Sequence, residues 1–296
     1  MKLRIISWNI NFIHDNWRNR LKNINNILEK EVDTTHIIAL QEATIPFGNK
    51  IKELYSFINK KNIKCYSSSL LDRDILYKHI NNHYKKKEII LCFEYLMNKL
   101  MWLCGYIFSY IGEYHKKLYF EFPMIFFFVS WVCIPIFLGM WYFIGLMTII
   151  SDNITTKVKS KYVGNRIIQY FDFIYNNKEI RCVNIHLNPG KNEKEKEKRL
   201  HGVKSIIKLC KKKKNVILIG DFNDEINSKM YKYMTKKGYD SIFKKLNKYV
   251  NTFPSDNPSK CIDYIMIKGD IGVNKISTFG GCLSSDHKGL KVELEV

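Results

Sequence analysis

Glycine and proline are scarce in this 296-residue chain, at 15 and 6 residues, which excludes collagen-like and linker-rich architectures. Acidic residues are also in short supply: 28 Asp and Glu stand against 48 Lys and Arg, for a formal net charge of +20. Such an excess invites a phosphate-bearing partner, either nucleic acid or an anionic membrane. Codon drift is an equally good source of the lysines, since Lys, Asn, Ile and Tyr are abundant together. Patterned cysteines are missing. The eight cysteines include no C-x-x-C pair and no metal-ligand spacing, so a reducing compartment is expected and a disulfide framework is not. A secretory signal is not expected either, because Met1–Asn11 alternates like a strand and lacks a small-residue cleavage site.

What is present suffices for a folded core. The apolar content is 46%, and 18 Phe with 18 Tyr cannot be left in water, which excludes disorder. Leu3–Ile10 has the β-branched content and length of a strand. Trp17, Leu21, Ile24 and Leu28 share one helical stripe, His36–Leu40 suits a buried strand, and Ile51, Leu54, Tyr55 and Ile58 make a second helical face. Farther on, Arg166–Tyr175 and Ile180–His186 read as strands joined at Asn176–Asn177. Leu200, Val203, Ile207 and Cys210 mark a helix after the mixed-charge run Lys191–Arg199, and Val216–Ile219, Ile262–Ile267 and Leu290–Val296 are strands. Strands interleaved with hairpins and helices predict packed sheets covered by helices.

The middle of the chain lacks charge. Phe122–Ser151 is thirty residues without a charge, long enough to cross a bilayer. Ile89–Gly112 holds only Glu94 and Lys99, and a centred lysine costs roughly 2.5–3.5 kcal/mol on insertion scales. A pair of buried core helices is the competing reading, though a soluble helix normally keeps a polar face.

Five short stretches carry the polar residues that strand ends would present together: Ser7–Asn11, Leu40–Glu42, Asn184–Asn188, Gly220–Asp224 and Ser284–His287. Glu42, Asp221 and Asp286 with Asn9 and Asn223 form an all-oxygen set, which suits Mg²⁺ or Mn²⁺ and not zinc. His186 and His287 are the proton carriers or phosphate donors within it. Hard-cation carboxylates beside histidine describe metal-assisted phosphoryl hydrolysis. Singly, Glu42 reads as well as a solvated strand end, His186 as a core histidine and Asp221–Asn223 as a plain turn. Their joint order decides.

That order, S-W-N-I-N at 7–11, L-Q-E at 40–42, N-I-H-L at 184–187, G-D-F-N-D at 220–224, I-D-Y-I at 262–265 and S-S-D-H at 284–287, resembles the endonuclease/exonuclease/phosphatase superfamily. Thr252–Ile265 is similar to the version in small metal-dependent hydrolases of that group. The resemblance implies a four-layer α/β/β/α sandwich of two mainly antiparallel sheets. It implies Glu42 as the main Mg²⁺ ligand, helped by Asn9 and Asp286. It implies His287 as general base or phosphate-activating imidazole held by Asp263, Asp221 as the group orienting water, and Asn223 and His186 as donors to phosphoryl oxygens. The chain departs from the pattern at Asn188-Pro189-Gly190, where many members carry Asp or Ser soon after the histidine. It departs again after Glu42, where the aromatic residue of sphingomyelinases is absent.

Glu42 precedes the uncharged region while His186, Asp221 and His287 follow it, so that region must cross a membrane an even number of times or not at all. An apolar helical hairpin, 89–112 and 122–150 with a turn at Glu113–Glu121, meets the condition, with a re-entrant loop hinging at Pro135 as the alternative. The division expected is therefore a catalytic domain from 1–88 and 151–296 with a membrane-associating insertion at 89–150. Lys85–Lys87, Lys157, Lys159 and Lys161 flank the catalytic side, which places that side in the cytosol. A bilayer-anchored hydrolase of phospholipid head groups, similar to a phospholipase C or sphingomyelinase, is the leading expectation. A membrane-tethered nuclease or DNA-repair phosphodiesterase, using the lysines at 204, 208 and 211–214, is the second, and an inactive membrane scaffold the third.

Overall fold

β1 (Lys2–Asn9) sets the pattern for the molecule. Leu3 and Ile5 face the space between two sheets, while Ile6 and Trp8 face outward against α1 (Trp17–Glu31), the period-2 signature of a strand buried on both sides. The computed structural model describes residues 2–11, 17–44, 63–68, 145–164 and 166–296. All belong to one of the chain's two units, Met1–Ser69 with Gly145–Val296; the other unit is Leu70–Ile144.

The first sheet has the order β11-β12-β1-β2-β4-β3 and the second β5-β6-β7-β8-β10-β9. The first contains β1, β2 (Ile37–Thr44), β3 (Ile63–Ser68), β4 (Gly145–Ser151), β11 (Gly272–Phe279) and β12 (Gly289–Glu295). The second contains β5 (Lys159–Val163), β6 (Arg166–Tyr175), β7 (Lys178–His186), β8 (Asn215–Asp221), β9 (Asp240–Ser241) and β10 (Asp263–Lys268). One pair in each sheet is parallel, β1 with β2 and β7 with β8, and every other pair is antiparallel. A helix makes each parallel crossover: α1 in the first sheet and α2 (Glu193–Leu209) in the second, capped by the Asn192 side chain on the Glu195 amide. α3 (Lys229–Lys236) and the short α4 (Ile242–Leu246) follow β8. Ile24 and Leu28 of α1, with Val32 just after it, cover the outer face of the first sheet, and Val203, Ile206, Met230 and Met234 pack in the core of the second. The result is two mixed six-stranded sheets with few helices.

The β6–β7 hairpin turns at Asn176 and Asn177, whose φ values of 49° and 61° are those of a two-residue type I′ turn. The structure corrects one boundary. Gly145–Ser151 is not the end of an apolar helix but β4, paired with both β2 and β3. Its side chains are buried on both faces, so its hydropathy is that of a membrane segment while its hydrogen bonds are those of a sheet. The rest of the expected hairpin, the helical face at Ile51–Ile58 and the turn at Glu113–Glu121 lie outside the described residues. Among the described residues no helix is long and apolar enough to cross a membrane. β3 and β4 pair Ser68 with Leu146, and Thr44 of β2 pairs with Gly145. The chain therefore leaves and re-enters the first sheet at the end where Glu42 sits.

Candidate active site

Parallel strands point their carboxyl ends the same way, and the two parallel pairs deliver Asn9, Glu42, His186 and Asp221 to one rim between the sheets. Asn9 lies there by plain alternation. Glu42 does not, since alternation would place it beside Ile38 and Leu40, against α1. A bulge between Leu40 and Thr44, with Glu42 at φ 51°, turns its side chain inward instead. A left-handed backbone is uncommon for glutamate, and such conformations persist where the surroundings over-determine them. The adjacent second-sheet strand has its own constraint. A Cβ on Gly220, at φ +146°, would meet the Ile185 carbonyl oxygen at 1.9 Å, so only glycine fits before Asp221.

The contacts tie the two halves together. Asn9 Nδ2 donates to Glu42 Oε1 (3.3 Å) and Asp221 Oδ2 (3.0 Å), while its Oδ1 accepts from the Asn11 amide (3.0 Å). His186 Nε2 lies 3.5 Å from Glu42 Oε1 and 3.7 Å from Asp221 Oδ2. Asp221 Oδ1 accepts from the Asn223 amide at 2.7 Å, and Asn223 Nδ2 bridges Asp221 Oδ2 (3.2 Å) and the Leu187 carbonyl (3.0 Å). Asp263, paired directly opposite Asp221, holds His287 Nδ1 at 3.0 Å and also accepts from Thr252 Oγ1 at 2.5 Å. His287 Nε2 is thereby turned toward Asp221 Oδ2, 4.0 Å away.

Supporting groups fix these loops. Trp8 Nε1 donates to the His287 carbonyl (3.0 Å), Ser285 Oγ donates to the Asn9 carbonyl (2.6 Å), and the Phe253 ring packs 4.8 Å from the His287 ring. Arg20 of α1 clamps the Ser284 and Ile10 carbonyls at 3.1 and 2.8 Å. Behind the rim, a buried polar chain joins the sheets. Gln41 Nε2 donates to Asn184 Oδ1 (2.9 Å), Asn184 Nδ2 donates to the Leu40 and Met147 carbonyls, and Thr148 Oγ1 donates to Gln169 Oε1 (2.7 Å). All four side chains are fully buried.

Burial and neighbouring charge separate the ionisable groups. Burial pushes Glu42 up, opposed by the Asn9 hydrogen bond and the His287 charge. Asp221 is pushed up first by burial and then by the Asp263 carboxylate. The two histidines go opposite ways. Burial, with Arg166 and His287 nearby, drives His186 well below its ordinary value and keeps it neutral. Burial also works against His287, but Asp263, Asp221 and Asp286 outweigh it and raise the imidazole to about 10.

Asp221, Asp263 and His287 have ligand atoms within 4.8 Å of one another, close enough to hold a metal ion. Glu42 offers a second, more open position: about 20% of its side chain is exposed, and Asp286 is close enough to perturb its charge. Carboxylate oxygens without cysteine fit a hard divalent cation. In this arrangement Asn9 enters as a donor, its oxygen being taken by the Asn11 amide. Of the residues picked from the motifs, Asn9, Glu42, His186, Asp221, Asn223, Asp263 and His287 share the rim. Asp286, half-buried, acts on both Glu42 and His287 through its charge. Arg166, at the start of β6, perturbs Glu42 and His186 electrostatically, which places its charge at the same rim. Thr252, Ser285, Trp8 and Arg20 were not picked; the first three lie inside quoted motifs, whereas Arg20 sits in α1 with no sequence signal.

No curated protein matches the sequence at a significant level. Solved structures match the fold throughout. A humanized TDP2 of D. rerio superposes with a TM-score of 0.60 at 12% identity, covering 100% of this chain and 99% of that one. D. rerio TDP2 complexed with single strand DNA product gives 0.58 at 12% identity, covering 100% and 99%. An endonuclease/exonuclease/phosphatase family protein from Leptotrichia buccalis gives 0.62 at 15% identity, covering 99% and 100%. The family model described as Endonuclease/Exonuclease/phosphatase family matches residues 6–287, from β1 to His287. With every rim group inside that span, the chain belongs to the endonuclease/exonuclease/phosphatase family.

Proposed function

We propose that the protein is a Mg²⁺-dependent phosphodiesterase acting on nucleic-acid phosphate esters. The observation that carries the hydrolytic reading is the rim itself, where the Asp263–His287 pair and Asp221 face Glu42 across the gap between the sheets. Glu42 and Asp286 would hold the metal, with Asn9 fixing the Glu42 carboxylate through its Nδ2 donor, and the metal would supply Lewis-acid stabilisation of phosphoryl charge. Asp221, with its raised proton affinity, orients a water molecule and accepts its proton as the new P–O bond forms and the bond to the leaving ester oxygen breaks, that oxygen taking its proton from solvent. His287, held by Asp263 and kept cationic, donates from Nε2 to a phosphoryl oxygen. Neutral His186 adds a donor on the second-sheet side, and Asn223 holds the Asp221 carboxylate in place through its backbone and side-chain amides. The nucleic-acid reading is supported by the net charge of +20 and by fold likeness to a TDP2 bound to single strand DNA product.

A second reading, a phospholipid head-group hydrolase at a membrane with its catalytic domain in the cytosol, rests on one observation. The uncharged run enters β4 at Gly145, paired with Thr44 and so two residues from Glu42 along β2. One experiment separates the two. Mg²⁺-dependent ester release is measured for the full-length protein and for Asp221→Ala on DNA, on RNA and on mixed phospholipid vesicles. Cleavage of nucleic acid that Asp221→Ala abolishes is the expected result. Head-group release without nucleic-acid cleavage would replace the first reading by the second, and no turnover on any of the three would sink both.

A further inference from the structure

We propose that a lysine-walled cavity between β5 and α2 is a second anion site, built for a compact group carrying several phosphates. The cavity has a volume of 740 Å³ and opens on the helix-covered face of the second sheet. It lies apart from the rim: Arg181, on its floor, precedes His186 by five residues of β7, about 16 Å at the rise of a strand.

Six cations converge here from three parts of the chain. Lys161 comes from β5, Arg181 from β7, and Lys208, Lys211, Lys212 and Lys213 from the end of α2 and the loop after it. Only two are committed internally. Asp172 holds Arg181 through two 2.7 Å contacts and Lys213 at 3.1 Å, and its carboxyl is kept low by those hydrogen bonds. That arrangement fixes the floor. Lys161, Lys208, Lys211 and Lys212 are exposed and make no ion pair among the described residues. Lysines at a helix C-terminus ordinarily answer the helix dipole. That explanation does not reach Lys161, which arrives from an edge strand. The last-turn carbonyl of Leu209 is already covered by Arg181 Nη1 at 2.7 Å, so it does not repel an anion. Lys204, on the same basic helix, is turned away and stands 5.7 Å from the Tyr233 ring.

Size and charge choose the ligand class. The volume falls within the range of about 300–1,000 Å³ typical of small-molecule sites, too small to enclose a duplex. A single phosphate would leave most of the cations unmatched, whereas several phosphates on one small frame pair with the four free lysines as charge-assisted contacts. A phosphorylated inositol has that chemistry, either free or as the head of a lipid.

The test uses the full chain in EDTA, where the rim lacks its metal, at about 0.15 M salt so that loose electrostatics are screened. Inositol hexakisphosphate binding is measured by calorimetry for the wild type, for Lys161→Gln/Lys208→Gln/Lys212→Gln, and for Lys229→Gln/Lys232→Gln/Lys236→Gln. The last set removes equal charge from exposed positions of α3. Expected is a loss of affinity of about tenfold or more in the cavity triple, about twofold or less in the α3 triple, with unchanged melting temperatures. Equal weakening in both triples, or no binding by the wild type, overturns the proposal. So does a cavity triple that loses only a single-stranded oligonucleotide. Phosphatidylcholine vesicles with and without a phosphatidylinositol bisphosphate identify the source: retention that the cavity triple loses assigns the site to a lipid head, and soluble binding alone assigns it to a free polyphosphate. Because the readout is binding without metal, it does not depend on which ester the rim hydrolyses.

Discussion

The two sheets repeat one strand pattern, yet the ends of their parallel pairs are chemically unlike. The first sheet contributes Asn9 and Glu42, an amide and a partly exposed carboxylate suited to receiving a cation from solvent. The second contributes His186, Asp221 and Asp263, and His287 reaches them from the β11–β12 loop of the first sheet; all four are buried and suited to proton handling. The same contrast recurs between the two histidines. Burial lowers both; at His186 the charges of Arg166 and the other imidazole add to it, whereas at His287 the charges of Asp263, Asp221 and Asp286 outweigh it. Topology decides where a group sits; its neighbours decide its charge.

Removing the proposed proton acceptor breaks the contrast hardest. Asp221→Ala is expected to lower kcat by about 10⁴-fold. The melting temperature should hold or rise, because a buried carboxylate opposite Asp263 is lost, and calorimetry of the metal-free protein checks this. Asp263→Asn should cost about 10³-fold and leave His287 without its anchor. The ring titration of His287, followed by NMR in EDTA, reports this directly: protonated through neutral pH in the wild type, it should become neutral at lower pH in the variant, while His186 stays neutral in both. On the first-sheet side, Glu42→Gln should lower kcat by about 10²-fold and raise the Mg²⁺ concentration for half-maximal activity at least about tenfold. A loss of rate with no shift in Mg²⁺ dependence would place the cation elsewhere.

Smaller effects sharpen the comparison by testing what holds the sheets together. Gln41→Leu leaves the Asn184 amide oxygen without its donor and should destabilise the fold by about 1–3 kcal/mol in denaturant titration. Least affected is Asp172→Asn, below about 1 kcal/mol because the pair is partly exposed. Its sign is fixed by the depressed carboxyl. The stabilisation is full above the unfolded value of about 3.9 and is lost as pH falls through the lower folded value, so variant and wild type should converge only in strong acid.

Much of this was legible in the sequence. β1, β2, the β6–β7 hairpin, α2, β8, β10 and β12 follow from apolar periodicity and from the Asn176–Asn177 turn, and the six motifs located the rim. The parts that escaped have physical reasons. β5 alternates lysine with half-buried residues and β11 is an edge strand with much of its surface exposed, so neither is apolar enough to stand out. β4 was hidden by excess apolarity, because a strand buried on both faces and a membrane helix share one hydropathy signature. Thr148 and Gln169 could not be picked, since a polar residue inside an apolar strand reveals its partner only when the sheets are stacked. The inward turn of Glu42 depends on a bulge that no alternation rule predicts.

The amide and hydroxyl chain through Gln41, Asn184, Thr148 and Gln169 has a consequence for how the enzyme can change. The distance between cation side and proton side is a gap between layers, and no single strand or helix measures it. A chain of hydrogen bonds is a gauge of nearly fixed length, whereas apolar contacts accept many shapes. Aliphatic residues elsewhere between the sheets carry less of that constraint, because volume-conserving exchanges among them leave the spacing unchanged. The calibration of the reaction stays locked in a few side chains that never meet the substrate.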